Sequence, residues 1–181
     1  MVLAEMKPST AQIRFETHSD IASVRHLSTV AFGRSAEADL VDAVRAQRQV
    51  VISLVAAVGN EVVGNIVLTP VTLMPSVPGL RMLGLGPVAV LPTFQRQGIG
   101  SALIRQAIGQ GCADGWHAIV VLGHPEYYTR FGFIPARQFG LGCEFDAPEG
   151  AFMILELRPR TLDGLHGVVR YQPEFFPCLQ P

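Results

Sequence analysis

The stretch Gly86-Pro87-Val88-Ala89-Val90-Leu91-Pro92-Thr93-Phe94-Gln95-Arg96-Gln97-Gly98-Ile99-Gly100-Ser101-Ala102-Leu103 decides how this chain is read. Residues 80–90 are rich in apolar side chains and stop at Pro92, as a strand does. After Gly98 the period becomes helical, with Ile99, Leu103 and Ala107 on one stripe and Ile104 and Ile108 on the next. The segment reads as strand, glycine-containing loop, helix. The first amides of a helix have no intrahelical acceptor and sit at the positive end of its dipole, so residues 95–100 present several N–H groups to an anion. Gly98 and Gly100 lack a Cβ, which lets a bulky diphosphate reach the backbone, and Arg96 sets a positive charge beside it. The same glycines would also suit a plain strand-to-helix turn, so the flanks have to decide.

Working outward, residues 50–58 and 61–71 are apolar, β-branched runs joined by Gly59-Asn60, a pair that tolerates the positive φ of a tight hairpin. Before them, residues 12–16 alternate as a half-buried strand. A helix then starts near Ser19 and Asp20, and a second starts near Gly33 and Ser35 with Glu37 and Asp39 at its positive end. After the central helix come a short strand at 117–122, a short helix at 126–131 stopped by Gly132, and strands at 151–157 and 168–171. Residues 140–150 read as a surface loop. This succession predicts an α/β (α+β) fold in one domain over residues 1–181, with helices on the faces of a mixed sheet and a loose tail at 1–11.

Composition narrows the function. Only 16% of the residues are charged and 49% are hydrophobic, which argues against disorder. A formal net charge of −1, with no run of Lys or Arg, argues against nucleic acid. The uncharged stretch at residues 82–95 is broken by Gly84, Gly86, Pro87 and Pro92, so no membrane span is expected. Cys112, Cys143 and Cys178 are far apart and odd in number, which fits neither a metal site nor a disulfide framework and suits a reducing cytoplasm. Gly84-Leu85-Gly86-Pro87-Val88-Ala89 formally matches a dinucleotide fingerprint, but Pro87 removes an amide and no helix starts there.

Gln95, Gly98 and Gly100 match the fixed positions of [QR]-x-x-G-x-[GA], and Tyr128 stands four residues before Gly132-Phe133. Together these motifs resemble the pyrophosphate loop and the conserved tyrosine element of the GNAT superfamily of N-acetyltransferases, over residues 12–133. Residues 152–176 also look like the tail of a branch of small bacterial members with unassigned substrates. The resemblance implies a mostly antiparallel central sheet and a cofactor site at Val88, Ala89, Val90, Gln95, Arg96, Gln97, Gly98, Ile99, Gly100 and Ser101. Acetyl-CoA would be the co-substrate, no metal would be needed, and the acceptor would be a small-molecule or protein amine on a monomer or homodimer. Val88 and Val90 would bond the pantetheine arm through their backbone, with an N–H near Val88 stabilising the oxyanion. Tyr128 would be the general acid that protonates the departing thiolate.

Many members of the superfamily carry a glutamate on the strand equivalent to residues 80–90, and this chain has no carboxylate there. Glu126, His124 and Glu37 are the candidate substitutes, and each also reads as an ordinary solvated group. His18, His26, His117 and His166 read as scattered, satisfied or exposed side chains. Segments 33–39, 73–79 and 138–150 are expected to shape the acceptor pocket. The absent carboxylate keeps open a catalytically silent acyl-CoA-binding module, and a plain interaction domain is the third alternative.

Overall fold

The computed structural model describes residues 11–179. All but Ala11 of the tail expected at residues 1–11 therefore lies outside the described residues. The chain runs β1 (Gln12–Phe15), α1 (Ile21–Phe32), α2 (Ala36–Ala46), β2 (Ile52–Val58), β3 (Glu61–Met74), β4 (Met82–Val90), α3 (Ile99–Ala113) and β5 (Ala118–Leu122). It continues through α4 (Pro125–Tyr128), β6 (Ile134–Pro135), β7 (Leu141–Cys143), β8 (Phe152–Glu156), β9 (Gly167–Arg170) and α5 (Phe176–Leu179). The strands line up in the order β1-β2-β3-β4-β5-β8-β6, with β9 joining the far end of β3 to β7. Every pairing is antiparallel except β4 with β5 and β7 with β9. The mixed, mostly antiparallel sheet matches the expected fold class.

Strand alternation sorts the core into two faces. Ile66 and Leu68 of β3 join Leu54 of β2 beneath Leu103, Ile104 and Ala107 of α3, whereas Val67 and Val55 point the other way, toward Val24, Leu27 and Val41 of α1 and α2. Leu103 is wholly buried, and truncating such a leucine to alanine costs roughly 2–5 kcal/mol. The close seating of α3 depends on one glycine: a Cβ on Gly64 would come within 3.0 Å of the Leu103 side chain and 3.1 Å of Ile99. That seating fixes where the first turn of α3 lies relative to β4.

Several local readings needed adjustment. The hairpin at Gly59-Asn60 forms, pairing Val58 with Glu61, but β3 runs on to Met74, where its last three residues pair with β9. Residues 140–150 are not wholly a loop, since Leu141–Cys143 is a strand whose partner, β9, comes from the carboxy-terminal segment. A three-residue strand among glycines carries no alternation to read. The two-residue β6 was likewise missed.

Asp20 does not cap α1 with its side chain; a 3-10 turn, His18–Asp20, precedes the helix, and Asp20 reaches back to accept from the Thr17 N–H at 2.7 Å. Arg14 of β1 donates to both Asp20 oxygens at 2.6 and 2.9 Å, which ties the first strand to the first helix. This pairing with Arg14 holds the Asp20 carboxyl well below the usual carboxylate range, against the opposing effect of burial. A depressed folded-state pKa adds stability that is complete above the unfolded value of about 3.9 and fades as pH falls toward the folded one. Asp20→Ala is expected to cost about 2 kcal/mol at pH 7 in urea unfolding. The gap between variant and parent should narrow below about pH 4, and a gap independent of pH would contradict the ion pair's role.

Candidate functional site

β4 has a different neighbour along each half of its outer edge. Met82 to Leu85 pair in parallel with Ala118 to Val121 of β5, and there the ladder ends. β3 keeps β4 company to Val90, with a break in the ladder at Gly86 and Pro87, so residues 88–90 have a partner on one side alone. The register shows which groups face the gap. Leu91 donates to Val63 at 2.9 Å, so in the alternating antiparallel pattern Ala89 also bonds β3, while the N–H and C=O groups of Val88 and Val90 point away from it. Sequence reasoning singled out the same two valines. The Val90 carbonyl is already taken, because the Gln95 side-chain amide donates to it at 3.0 Å.

That bond redefines Gln95. Its backbone N–H donates to the Pro92 carbonyl at 3.3 Å, so Gln95 straps the loop to the strand and does not begin the row of free amides. The free row begins at Arg96: among the described residues no acceptor takes the N–H groups of residues 96–101, and the helical pattern opens with the Ala102 N–H on the Gly98 carbonyl at 2.9 Å. Gly98 is left-handed at φ 86° and Arg96 at φ 60°, the turn that swings these amides to one side. Gln97 is turned back to the Thr93 carbonyl, and the Ile99 side chain is buried under the sheet, so both can offer only their backbone. A Cβ on Gly100 would lie 3.0 Å from the Tyr127 hydroxyl, which sits over the first turn of α3.

Two cavities flank this gap. One, of about 660 Å³, is lined by Val88, Val90, Gln95, Arg96, Gly98, Gly100 and Ser101, and also by Tyr127, Tyr128 and Arg130. The Arg130 guanidinium lies over the Tyr127 ring, 4.5 Å from its centre, which adds a second cation opposite Arg96. The other cavity, of about 320 Å³, opens on the α1–α2 side between Phe32, Arg34, Glu37 and Leu40 and the carboxy-terminal Tyr171, Phe175 and Cys178. Val88, Tyr127 and Tyr128 line both cavities. Tyr127, Arg130 and Tyr171 were missed as site residues. The first two flank the recognised Tyr128 and face the same loop, while Tyr171 reaches the site only through the unforeseen pairing of β9 with β3.

Of the segments expected to shape the second cavity, only the one around Arg34 and Glu37 lines it. Segments 73–79 and 138–150 are carried off with the β3–β9–β7 strands and contribute nothing. Glu126 is exposed and lines neither cavity. Glu37 and His124 do line the smaller one, but both Glu37 oxygens accept from the Arg34 Nε at 3.1 Å, and Arg34 Nη2 adds a bond at 2.6 Å. Tyr128 stacks edge-on with Tyr127 and Phe133, and a Cβ on Gly123 would come within 2.4 Å of its ring, so that glycine makes room for it. Burial first, and the neighbouring Tyr127 second, push the Tyr128 phenol up to about 12. It is therefore protonated throughout the neutral range, as a donor must be.

Among the described residues no group of three or more His, Cys, Asp or Glu side chains could hold a metal, and no helix is long and apolar enough to cross a membrane. The model of the acetyltransferase (GNAT) domain matches residues 49–135. The uncharacterized N-acetyltransferase YhbS of Escherichia coli K12 is 31% identical over 164 residues, which cover 90% of this chain and 97% of that protein. YjhQ of the same organism, likewise described as an uncharacterized N-acetyltransferase, is 36% identical over 81% of this chain and 85% of its own length. The crystal structure of Escherichia coli YhbS in complex with CoA superposes with a TM-score of 0.89 at 30% identity over 94% of both chains. That of a Brucella melitensis GNAT family acetyltransferase in complex with acetyl-CoA gives 0.76 at 34% identity, over 92% of this chain and 99% of that one. With the split sheet, the open amides and these relatives in agreement, this chain belongs to the GNAT family of acetyltransferases.

Proposed function

We propose that the two cavities divide the work of acetyl transfer from acetyl-CoA to a primary amine. The larger holds the co-substrate and the smaller holds the acceptor. The observation that carries this reading is their meeting at Val88, Tyr127 and Tyr128, beside the amides of residues 96–101 that no acceptor takes. The diphosphate would be met by those amides, with the charges of Arg96 and Arg130 beside it. The pantetheine arm would extend β4 as an added strand, bonding the C=O of Val88 and the N–H of Val90 and leaving the Val88 N–H to the thioester oxygen. Ala89 faces β3 and would contribute only its place in the strand.

The thioester would then lie at the junction of the cavities. The acceptor nitrogen attacks the acetyl carbonyl, the negative charge that develops on oxygen is met by the Val88 N–H, and the Tyr128 phenol protonates the sulfur as it leaves. The crystal structures of relatives with CoA and acetyl-CoA support the choice of co-substrate. A silent binding module is the weaker reading, because the acceptor side of Tyr128 opens into a formed cavity.

Two substitutions test the halves of this scheme separately. Tyr128→Phe is expected to lower kcat at least about ten-fold while leaving the KM for acetyl-CoA nearly unchanged; full turnover would remove Tyr128 from the chemistry. Gly100→Val fills the space over the first turn of α3, and loss of even one charge-assisted hydrogen bond there weakens CoA binding by about ten-fold or more. Calorimetry showing unaltered affinity in a folded Gly100→Val protein would place the diphosphate elsewhere.

A further inference from the structure

The smaller cavity has an unusual charge balance for a site that receives an amine. Its one carboxylate, Glu37, is 7% exposed and engaged at both oxygens by Arg34, so the pair adds no net charge. The remaining wall is apolar or aromatic: Phe32, Leu40 and Pro87 on one side, Leu122, Tyr171 and Phe175 on the other. A polycation would find no free anion there.

The ionisable groups already inside report what the cavity does to charge. Burial pushes the Cys178 thiol up to about 11, the Tyr128 phenol up to about 12, and the Tyr171 phenol well above its ordinary value. The Tyr171 hydroxyl is buried without a hydrogen-bond partner. In each case loss of solvent comes first among the causes and favours the neutral form. The same loss acts on an entering ammonium ion in the same sense, favouring the uncharged amine. Besides these and the Arg34–Glu37 pair, only Tyr127 and the exposed His124 among the described residues present titratable side chains to the cavity.

Resting on the acetyltransferase reading above, we infer that the acceptor is a primary amine on a compact apolar body, an arylamine, aryl hydrazine or arylalkylamine, bound uncharged. The absence of a carboxylate from β4 then follows. A neutral nitrogen attacks without prior deprotonation, forming the N–C bond as the C–S bond breaks. The proton the nitrogen sheds balances the one the sulfur gains, with Tyr128 relaying it, so no separate base need hold a proton.

The test uses the full chain with acetyl-CoA and follows free CoA released with benzylamine, phenylhydrazine and aniline, against spermidine and kanamycin. The aromatic amines should turn over and the polycations should not. For each accepted amine, kcat/KM should rise with pH only up to that amine's own pKa, so the limb shifts from one amine to the next. Phe32→Glu, at a wall position 39% exposed, should cut kcat/KM for benzylamine about ten-fold by adding an unpaired carboxylate, with thermal stabilisation by CoA unchanged. A preference for spermidine or kanamycin, or one limb shared by all amines and abolished by His124→Ala, would overturn the inference. Stabilisation by CoA without turnover of any aromatic amine would overturn it too. Absence of CoA stabilisation would instead sink the reading of the larger cavity.

Discussion

A β-strand that loses its neighbour halfway along must find something else for its exposed N–H and C=O groups, and the arrangement of this molecule follows from that constraint. β4 is held on one edge by β3 at both ends, with a break at Gly86 and Pro87, and on the other by β5 only as far as Leu85. Past that point the edge is open, one of its carbonyls is occupied by the Gln95 side chain, and the row of unbonded amides at residues 96–101 begins a few residues on. Because α3 is pinned to the sheet through the space left by Gly64, the strand edge and the helix terminus keep a fixed separation. A ligand with an extended polar arm and an anionic end answers both needs at once, and acetyl-CoA has that shape.

The parts of this arrangement that are local in sequence were legible there. Residues 86–103 carry a strand, its proline stop, the glycines and the helical stripe in one run, and the outward aim of Val88 and Val90 agrees with the register. Gly132 adopts the left-handed conformation its position after a short helix implied, at φ 90°. What sequence did not disclose depends on partners far apart in the chain. The pairing of β9 with β3 and β7 brings Tyr171 and Phe175 to the smaller cavity, and nothing local in residues 167–178 marks that destination. Gln95 shows a subtler limit: its match to a motif was correct, but its side chain reaches back to Val90, and only coordinates reveal a strap of that kind.

The two sides of the split sheet differ in their electrostatics. The larger cavity is lined with open amides and two arginines, and suits a multiply charged anion. The smaller cavity has its single carboxylate neutralised and its phenols and a thiol buried, and suits an uncharged group. Tyr128 stands at the boundary with its phenol protonated, as the proposed proton transfer requires. The missing strand carboxylate is consistent with this division.

The account depends most directly on the amides of residues 96–101 and the open edge of β4 belonging to different portions of one ligand. Backbone amide shifts followed by NMR during titration with CoA, and separately with pantetheine, resolve the two. CoA should move the signals of residues 96–101 together with those of Val88 and Val90, and pantetheine should move only the strand pair. Signals at residues 96–101 that stay still under saturating CoA would contradict the account.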